Sequence, residues 1–135
     1  MMEQKYSLSR DATSIEVAIS IIKEAHLYVN GWRFWDWMET PYSIRCIVLC
    51  HVNGEAVGAG IIYNEVWERA PNAGVYIHPS YRENGIGKEI LRKLEQQEIA
   101  LRTRCGVCGS ANFFWKCKRE GIQFEMLPWG LEDVA

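Results

Sequence analysis

At 135 residues, the chain is long enough to bury one hydrophobic core and too short for two, which predicts a single domain over residues 1–135. The net charge of −2 and the pI near 5.9 argue against a nucleic-acid partner, because general nucleic-acid binders are normally basic. The first ten residues lack the apolar core of a signal peptide, and the longest apolar stretch, Ile15 to Ile22, is too short to span a membrane. We therefore expect a cytoplasmic protein that has no membrane partner.

The N-terminal third predicts a helix followed by a cluster of large aromatic side chains. Thr13 and Glu16 fit a capping box, and the apolar residues that follow recur at helical spacing, so a helix is expected from about Ser14 to Tyr28. Rings at the density found after this helix either fill a core or form a surface that binds something. The candidates for a binding surface, and for a homodimer contact, are Trp32, Phe34, Trp35, Asp36 and Trp37; the family resemblance given below implies that this surface is the substrate or partner surface.

A β-hairpin is expected in the middle of the chain. Asn53-Gly54 is the strongest short hairpin signal, and it separates two β-prone runs, Ile44 to Val52 and Glu55 to Tyr63. Gly58 and Gly60 fall on the same face of the second run, where they leave room for a close neighbour or a bulge.

The segment that follows predicts a strand, a tight loop and a helix. A β-prone run ends at Ile77, and a polar turn containing Gly85 and Gly87 leads into a helical pattern. Glycine lets this backbone approach a ligand closely, and the N–H groups of a first helical turn lack intrahelical partners, which suits a phosphate or pyrophosphate. The spacing fits neither the Walker A nor the dinucleotide fingerprint. The apolar side expected for this helix comprises Ile86, Ile90, Leu91, Leu94 and Leu101.

The string Ile-His-Pro-x-Tyr-Arg-x-x-Gly-Ile-Gly, from Ile77 to Gly87, resembles motif A of the GNAT acyltransferase superfamily. In that family the loop holds the pyrophosphate of acetyl-CoA, and the strand before it splays from its neighbour and pairs with the pantetheine arm. The hairpin phrase Asn-Gly-Glu-Ala-Val-Gly, residues 53–58, also resembles the family. The resemblance implies an α/β (α+β type) fold, with a central mixed, mainly antiparallel sheet and helices on both faces. The residues that it assigns to acetyl-CoA in this segment are Ile77, His78, Arg82, Glu83, Asn84, Gly85, Ile86, Gly87 and Lys88.

The C-terminal part of the chain resembles the same superfamily in the order of its elements. The elements expected are a strand at Cys105 to Gly109, a helix through Ala111 to Arg119 capped by Ser110, and, after Gly121, an edge strand at Ile122 to Leu127. In the family an Asn near the start of this helix contacts CoA, which corresponds to Asn112. A tyrosine often follows near the sulfur, whereas this chain has Phe114-Trp115 and no hydroxyl there.

The resemblance implies an acetyl-CoA-dependent N-acetyltransferase whose amine acceptor attacks the thioester directly. An amine with a pKa near 10.4 is almost entirely protonated at pH 7, so a general base would help. The candidates are Glu65 and Glu68, near the strand before the motif, and His78, at the strand end. The alternatives are that Glu65 and Glu68 are ordinary loop carboxylates and that His78 only fills a backbone position common to the motif. A catalytically inactive module that binds acyl-CoA or a protein partner is the competing function.

Five cysteines without secretory context predict reduced thiols. Cys105 and Cys108 could serve redox or zinc chemistry, with Cys46 and Cys50 as a second pair. However, Cys46 and Cys50 lie inside a predicted strand, and no helix start follows Cys105 to lower its pKa. We therefore predict no metal.

Overall fold

The computed structural model describes residues 3–26, 44–64, 71–82, 84–98, 101–105 and 110–128. These residues form six strands and three α-helices, with a short 3₁₀ helix at Pro79–Tyr81. In chain order the elements are β1 (Gln4–Ser9), α1 (Ala12–His26), β2 (Ile44–Val52), β3 (Glu55–Tyr63), β4 (Asn72–Ile77), α2 (Ile86–Glu95), β5 (Arg102–Cys105), α3 (Ser110–Arg119) and β6 (Glu125–Pro128).

The six strands form one mixed sheet in the order β1-β2-β3-β4-β5-β6. Neighbours from β1 to β4 are antiparallel, whereas β4, β5 and β6 are parallel to one another. Apolar side chains of α1 pack on one face of the sheet, and those of α2 and α3 pack on the other. The predicted fold class is therefore confirmed.

The β2–β3 hairpin confirms the strand boundaries expected from the sequence. Asn53 and Gly54 have φ values of 52° and 84°, the left-handed conformations that a tight two-residue hairpin turn requires. Val52 consequently pairs with Glu55, and the pairing extends to Ile44 opposite Tyr63, with register shifts between Cys50 and His51 and between Ile44 and Cys46.

Side chains of β2 alternate between the two cores, as expected for a strand covered on both faces. Cys46, Val48 and Cys50 belong to the core beneath α2 and α3, while Ile47 and Leu49 belong to the core beneath α1. The central strands are thus anchored on both sides.

Helix α1 begins earlier than the sequence predicted. The backbone N–H of Ser14 donates to Asp11 Oδ1 at 2.7 Å, so Asp11 rather than Thr13 caps the helix, and its first residue is Ala12. The predicted end at Tyr28 lies outside the described residues.

Four other elements differ from the prediction, and one of them is β6, which begins at Glu125 rather than at Ile122. Strand β1 was not expected, because this edge strand is largely exposed and carries few apolar residues. Leu101 is buried but lies just before β5, beyond the end of α2 at Glu95. The described strand β5 begins at Arg102, three residues before the predicted start at Cys105.

Candidate functional site

Strands β4 and β5 separate after their first residues. Asn72 lies opposite Arg102, whose backbone N–H donates to the carbonyl of Pro71 at 3.0 Å. From there β4 continues to Ile77, while β5 follows β6 in register as far as Cys105 opposite Pro128. Among the described residues, β4 thus pairs with β5 only at the first residue of each strand, and the sheet opens toward the end of β4.

The backbone of Ile77 faces this opening. The N–H of His78 donates to the carbonyl of Val57 at 2.8 Å, which continues the pairing of β4 with β3. Because the direction of backbone groups alternates along an antiparallel strand, the N–H and carbonyl of Ile77 point away from β3. The Nε–H of Arg82 donates to that carbonyl at 3.2 Å. Ile77, rather than His78, is therefore the candidate for a backbone contact in the opening.

The imidazole of His78 caps the 3₁₀ turn. Its Nδ1 accepts a hydrogen bond from the N–H of Ser80 at 3.1 Å, and its ring lies edge-on to Tyr81 with centroids 6.0 Å apart. A nitrogen that accepts a hydrogen bond carries no proton, so the neutral ring is protonated on Nε2. This geometry favours the structural role of His78 over the role of general base.

The loop after this turn ends in a helix start that has no side-chain cap. Gly85 is the N-cap residue of α2, with a left-handed φ of 79° that favours glycine. The N–H of Glu89 makes the first helical bond, to the carbonyl of Gly85 at 3.1 Å. The N–H groups of Ile86, Gly87 and Lys88 therefore precede the helical bonding pattern and carry the positive end of the helix dipole.

The exposed side chain of Asn84 stabilises the loop through two hydrogen bonds. Its Nδ2 donates to the carbonyls of Tyr81 and Arg82, at 3.3 and 3.4 Å. These bonds hold the backbone between the 3₁₀ turn and α2, so the side chain of Asn84 has a structural function besides any contact with a ligand.

Three of the cations near the loop form ion pairs within the protein. Lys88 Nζ lies 3.3 Å from Glu120 Oε2, and Arg92 and Lys93 each lie 3.6 Å from a carboxylate oxygen of Glu89. These pairs are partly exposed and hence weak, so an anionic ligand could compete for them. Arg82 is the cation that is bonded directly to the strand end.

Two glycines of β3 explain why α2 lies close enough to the sheet to serve this site. A Cβ on Gly60 would collide with Ile90 and stand 3.0 Å from Leu94 Cδ1. A Cβ on Gly58 would stand 2.9 Å from Ile77 Cδ1. The sequence predicted a close neighbour or a bulge at Gly58 and Gly60. The close neighbour is α2, since Ile90 lies near both positions, and the register of β2 against β3 also shifts beside Gly58.

Helix α3 presents a different aromatic residue to the site than the sequence suggested. Phe114 is buried in the core and Trp115 is 51% exposed, whereas Phe113 lies against the first turn of α2. A Cβ placed on Gly87 would be 3.0 Å from Cε1 of Phe113 and 3.7 Å from Cγ1 of Ile77. Asn112 is exposed in the first turn of α3, one residue before Phe113.

Part of the predicted site falls on residues that the structure does not describe. The proposed bases Glu65 and Glu68, the loop residue Glu83, and the proposed acceptor or partner surface all remain predictions. That surface consists of Trp32, Phe34, Trp35, Asp36 and Trp37.

Three cysteines are core residues. Cys46, Cys50 and Cys117 are buried free thiols, and burial raises the pKa of each. The backbone of Cys105 lies in β5, and Cys108 is outside the described residues. Across the described ranges, no three His, Cys, Asp or Glu residues come together as a metal site. Nor does a helix in that part of the chain have the length and apolar character needed to cross a membrane.

The chain belongs to the Acetyltransferase (GNAT) family, whose profile matches residues 8–112. The class of protein defined by this match and by the fold is an acetyltransferase. Comparison with functionally curated proteins found no significant sequence match.

Solved GNAT structures share the fold at low sequence identity. A predicted acetyltransferase from Clostridium acetobutylicum, solved with acetyl-CoA, is 15% identical with a TM-score of 0.65, and the alignment covers 90% of each chain. A GNAT acetyltransferase from Brucella melitensis, in complex with acetyl-CoA, is 12% identical with a TM-score of 0.64, covering 82% of this chain and 81% of the other. The ribosomal-protein-S18-alanine N-acetyltransferase from Escherichia coli is 16% identical with a TM-score of 0.60, covering 88% and 77%.

Proposed function

We propose that this chain transfers the acetyl group of acetyl-CoA to an amine, with the cofactor held between the end of β4 and the start of α2. The observation that carries the proposal is the alignment of three N–H groups, those of Ile86, Gly87 and Lys88, beside a strand end whose backbone faces an opening in the sheet. The acetyl-CoA complexes of the Clostridium and Brucella relatives support the choice of cofactor.

The residues present fit such a cofactor chemically. A Cβ on Gly85 would meet no atom within 4 Å, so the loop is open at this point. The three N–H groups and the guanidinium of Arg82 would hold the pyrophosphate, because anions are stabilised at a helix N-terminus and by arginine donors. The backbone of Ile77 would bind the pantetheine amides, with Asn112 contributing its side chain. Glu83 is proposed with them from the sequence.

The residues of the chain would act mainly by positioning. Bound acetyl-CoA supplies a thioester that an amine can attack and a thiolate that can leave. Holding two reactants in attack geometry can lower the barrier by ~7–11 kcal/mol. The N–H of Ile77 is the proposed donor to the developing oxyanion, because the N–H of His78 is bonded to Val57.

A proton must also leave the acceptor amine. Deprotonating an amine of pKa near 10.4 at pH 7 costs ~4.6 kcal/mol, which a general base would offset. We propose Glu65 and Glu68 for this function. His78 is the weaker candidate, because its Nδ1 already accepts the N–H of Ser80.

We further propose that the acceptor contacts the aromatic segment from Trp32 to Trp37 and that a homodimer would form through the same segment. A cytoplasmic location also remains a proposal, made from the sequence.

The function is tested by measuring release of CoA thiol from acetyl-CoA in the presence of a panel of amines. The panel contains polyamines, aminoglycosides, lysine peptides and peptides with free N-terminal alanine, and N-acetylated forms of the same compounds are the controls. We expect thiol release with at least one free amine and none with its acetylated form. Acetyl-CoA binding without release by any amine would contradict the proposed acceptor class.

A further inference from the structure

We propose that Phe113 is a positioning residue for the cofactor loop, and that its ring disfavours any side chain larger than that of glycine at position 87. This inference rests on the proposed function, since it concerns the same acetyl-CoA site. The side chain of Phe113 would set the position of the first turn of α2 relative to the end of β4.

Three elements, α2, α3 and β4, approach one another at Gly87. A Cβ built on Gly87 would lie 3.0 Å from Cε1 and 3.1 Å from Cζ of Phe113, and 3.7 Å from Cγ1 of Ile77. Real Cβ atoms seldom have neighbours as close as the first two, so a side chain at position 87 would have to displace the ring or the helix turn. The first turn of α2 thus rests directly on α3 and beside the strand end.

The two glycines of the loop are needed for different reasons. Gly85 has a left-handed φ of 79° and open space where its Cβ would be, so its backbone conformation requires glycine. Gly87 is in the helix, and the space that a Cβ would occupy is filled by Phe113. A side chain at position 87 would therefore be in close contact with the protein itself, whether or not a ligand is bound.

The ring of Phe113 is supported from behind by the core. It packs edge-on against Phe114 with centroids 5.1 Å apart, and Phe114 packs in the same way on Phe124 at 5.8 Å. Phe114 and Phe124 are buried, whereas Phe113 is half-buried. This row of three rings links the loop to the segment before β6 and limits how far Phe113 can move.

A small shift of this turn would alter anion binding. The favourable field of a helix N-terminus falls off within the first turn, so the N–H groups must stay aimed at the ligand. Removing the ring would let the turn move inward, and adding a methyl group at position 87 would push it outward. Either change is expected to weaken acetyl-CoA binding.

The test is a double-mutant cycle on acetyl-CoA affinity, measured by calorimetry for wild type, Gly87→Ala, Phe113→Ala and the double variant. Contacting residues couple by energies that correspond to roughly twofold to 150-fold effects. We expect each single change to weaken binding by at least about threefold, and the double variant to bind at least about threefold tighter than the product of the two losses predicts. Independent, multiplicative losses would overturn the proposal, as would a Phe113→Ala variant that binds normally.

A matched pair of variants separates positioning from general loosening of the core. Phe113→Leu and Ile122→Ala both remove apolar volume from the core beneath α2 and α3, but Ile122 is not part of the row of rings. We expect Ile122→Ala to lower the Tm more while leaving the Kd of the folded protein within about twofold, and Phe113→Leu to raise the Kd. Equal effects on Kd would overturn the proposal. Failure of the wild type to bind acetyl-CoA would instead refute the proposed function, and this inference with it.

Discussion

The Nε–H of Arg82 donates to the carbonyl oxygen of Ile77 at 3.2 Å, which fastens the cation of the loop to the last residue of β4. The bond uses one of the five N–H donors of the guanidinium, and the remaining four can serve a phosphate. An ammonium group at this position could not make both contacts with the same planar geometry.

We predict that Arg82→Ala weakens acetyl-CoA binding by roughly tenfold or more, since a hydrogen bond to a charged group contributes about 1.5–3 kcal/mol. Arg82→Lys should bind acetyl-CoA with an affinity between those of Arg82→Ala and the wild type. The control is Arg119→Ala, which removes an exposed arginine at the C-terminal end of α3 and should leave acetyl-CoA binding unchanged. Calorimetric titration at two salt concentrations checks this prediction. Equal affinities for Arg82→Ala and wild type would show that Arg82 does not contact the cofactor.

Packing between β3 and α2 should make Gly60 less tolerant of substitution than Gly58. A Cβ on Gly60 collides with Ile90 and approaches Leu94. A Cβ on Gly58 meets only the ends of side chains, at 2.9 Å from Ile77 Cδ1 and 3.1 Å from Ile90 Cδ1. Overpacking a core typically costs about 1–3 kcal/mol, and we expect Gly60→Ala to be at the upper end or above. Urea denaturation of both variants provides the comparison. A smaller loss of unfolding free energy for Gly60→Ala than for Gly58→Ala would mean that α2 is not held this closely.

His78 should tolerate replacement by a residue that can still cap the turn. Asparagine offers an oxygen near the position of Nδ1, so His78→Asn should keep the Tm and the rate of acetyl transfer close to wild type. His78→Ala should lower the Tm. Thermal denaturation and thiol release are the measurements. If His78→Asn keeps the Tm but loses most of the turnover, the imidazole has a catalytic function after all.

Asp11 gives a pH dependence whose sign follows from its capping bond. Hydrogen bonds from the N–H of Ser14 and from Ser9 lower the pKa of the Asp11 carboxyl from its ordinary value of 3.8. Its contribution to stability is therefore present above pH 3.8 and is lost as the pH falls through the lowered pKa. The Tm difference between wild type and Asp11→Asn should shrink in that acid range. A constant difference from pH 7 to pH 2.5 would contradict this assignment.

The buried thiols should be unreactive in the native protein. Cys46, Cys50 and Cys117 are enclosed by the core, and burial raises their pKa, which lowers the thiolate fraction at pH 7.5. Peptide mapping after brief alkylation should find these three residues labelled in urea but not in buffer. Fast labelling of Cys117 in buffer would mean that α3 opens readily.

Local signals in the sequence predicted the elements whose boundaries depend on turn chemistry. Asn53-Gly54 predicted the hairpin turn and the bounds of β2 and β3, because this turn needs left-handed backbone. Gly85 was expected in the turn before α2, where it also has left-handed backbone. The cap of α1 was misassigned because Asp11 and Thr13 are both acceptable N-cap residues, and only the bond to Ser14 distinguishes them.

Features that depend on distant contacts could not be predicted. Three aromatic residues in a row, 113–115, do not reveal the rotation of α3, so the neighbour of Gly87 became apparent only from the packing. The pairing of Lys88 with Glu120 joins α2 to the residue that follows α3. The separation of β4 from β5 has no local signal either, and it was expected only from the resemblance to the GNAT superfamily.

The central claim is that the backbone at the start of α2 binds acetyl-CoA, and it is tested most directly by NMR of the ¹⁵N-labelled protein during titration with the cofactor. We predict that the amide signals of Ile86, Gly87 and Lys88 shift most and saturate together. The amides of Gly54 and Gly121, which lie in other turns, serve as internal references and should move little. Saturable shifts elsewhere, with these three amides unchanged, would contradict the claim.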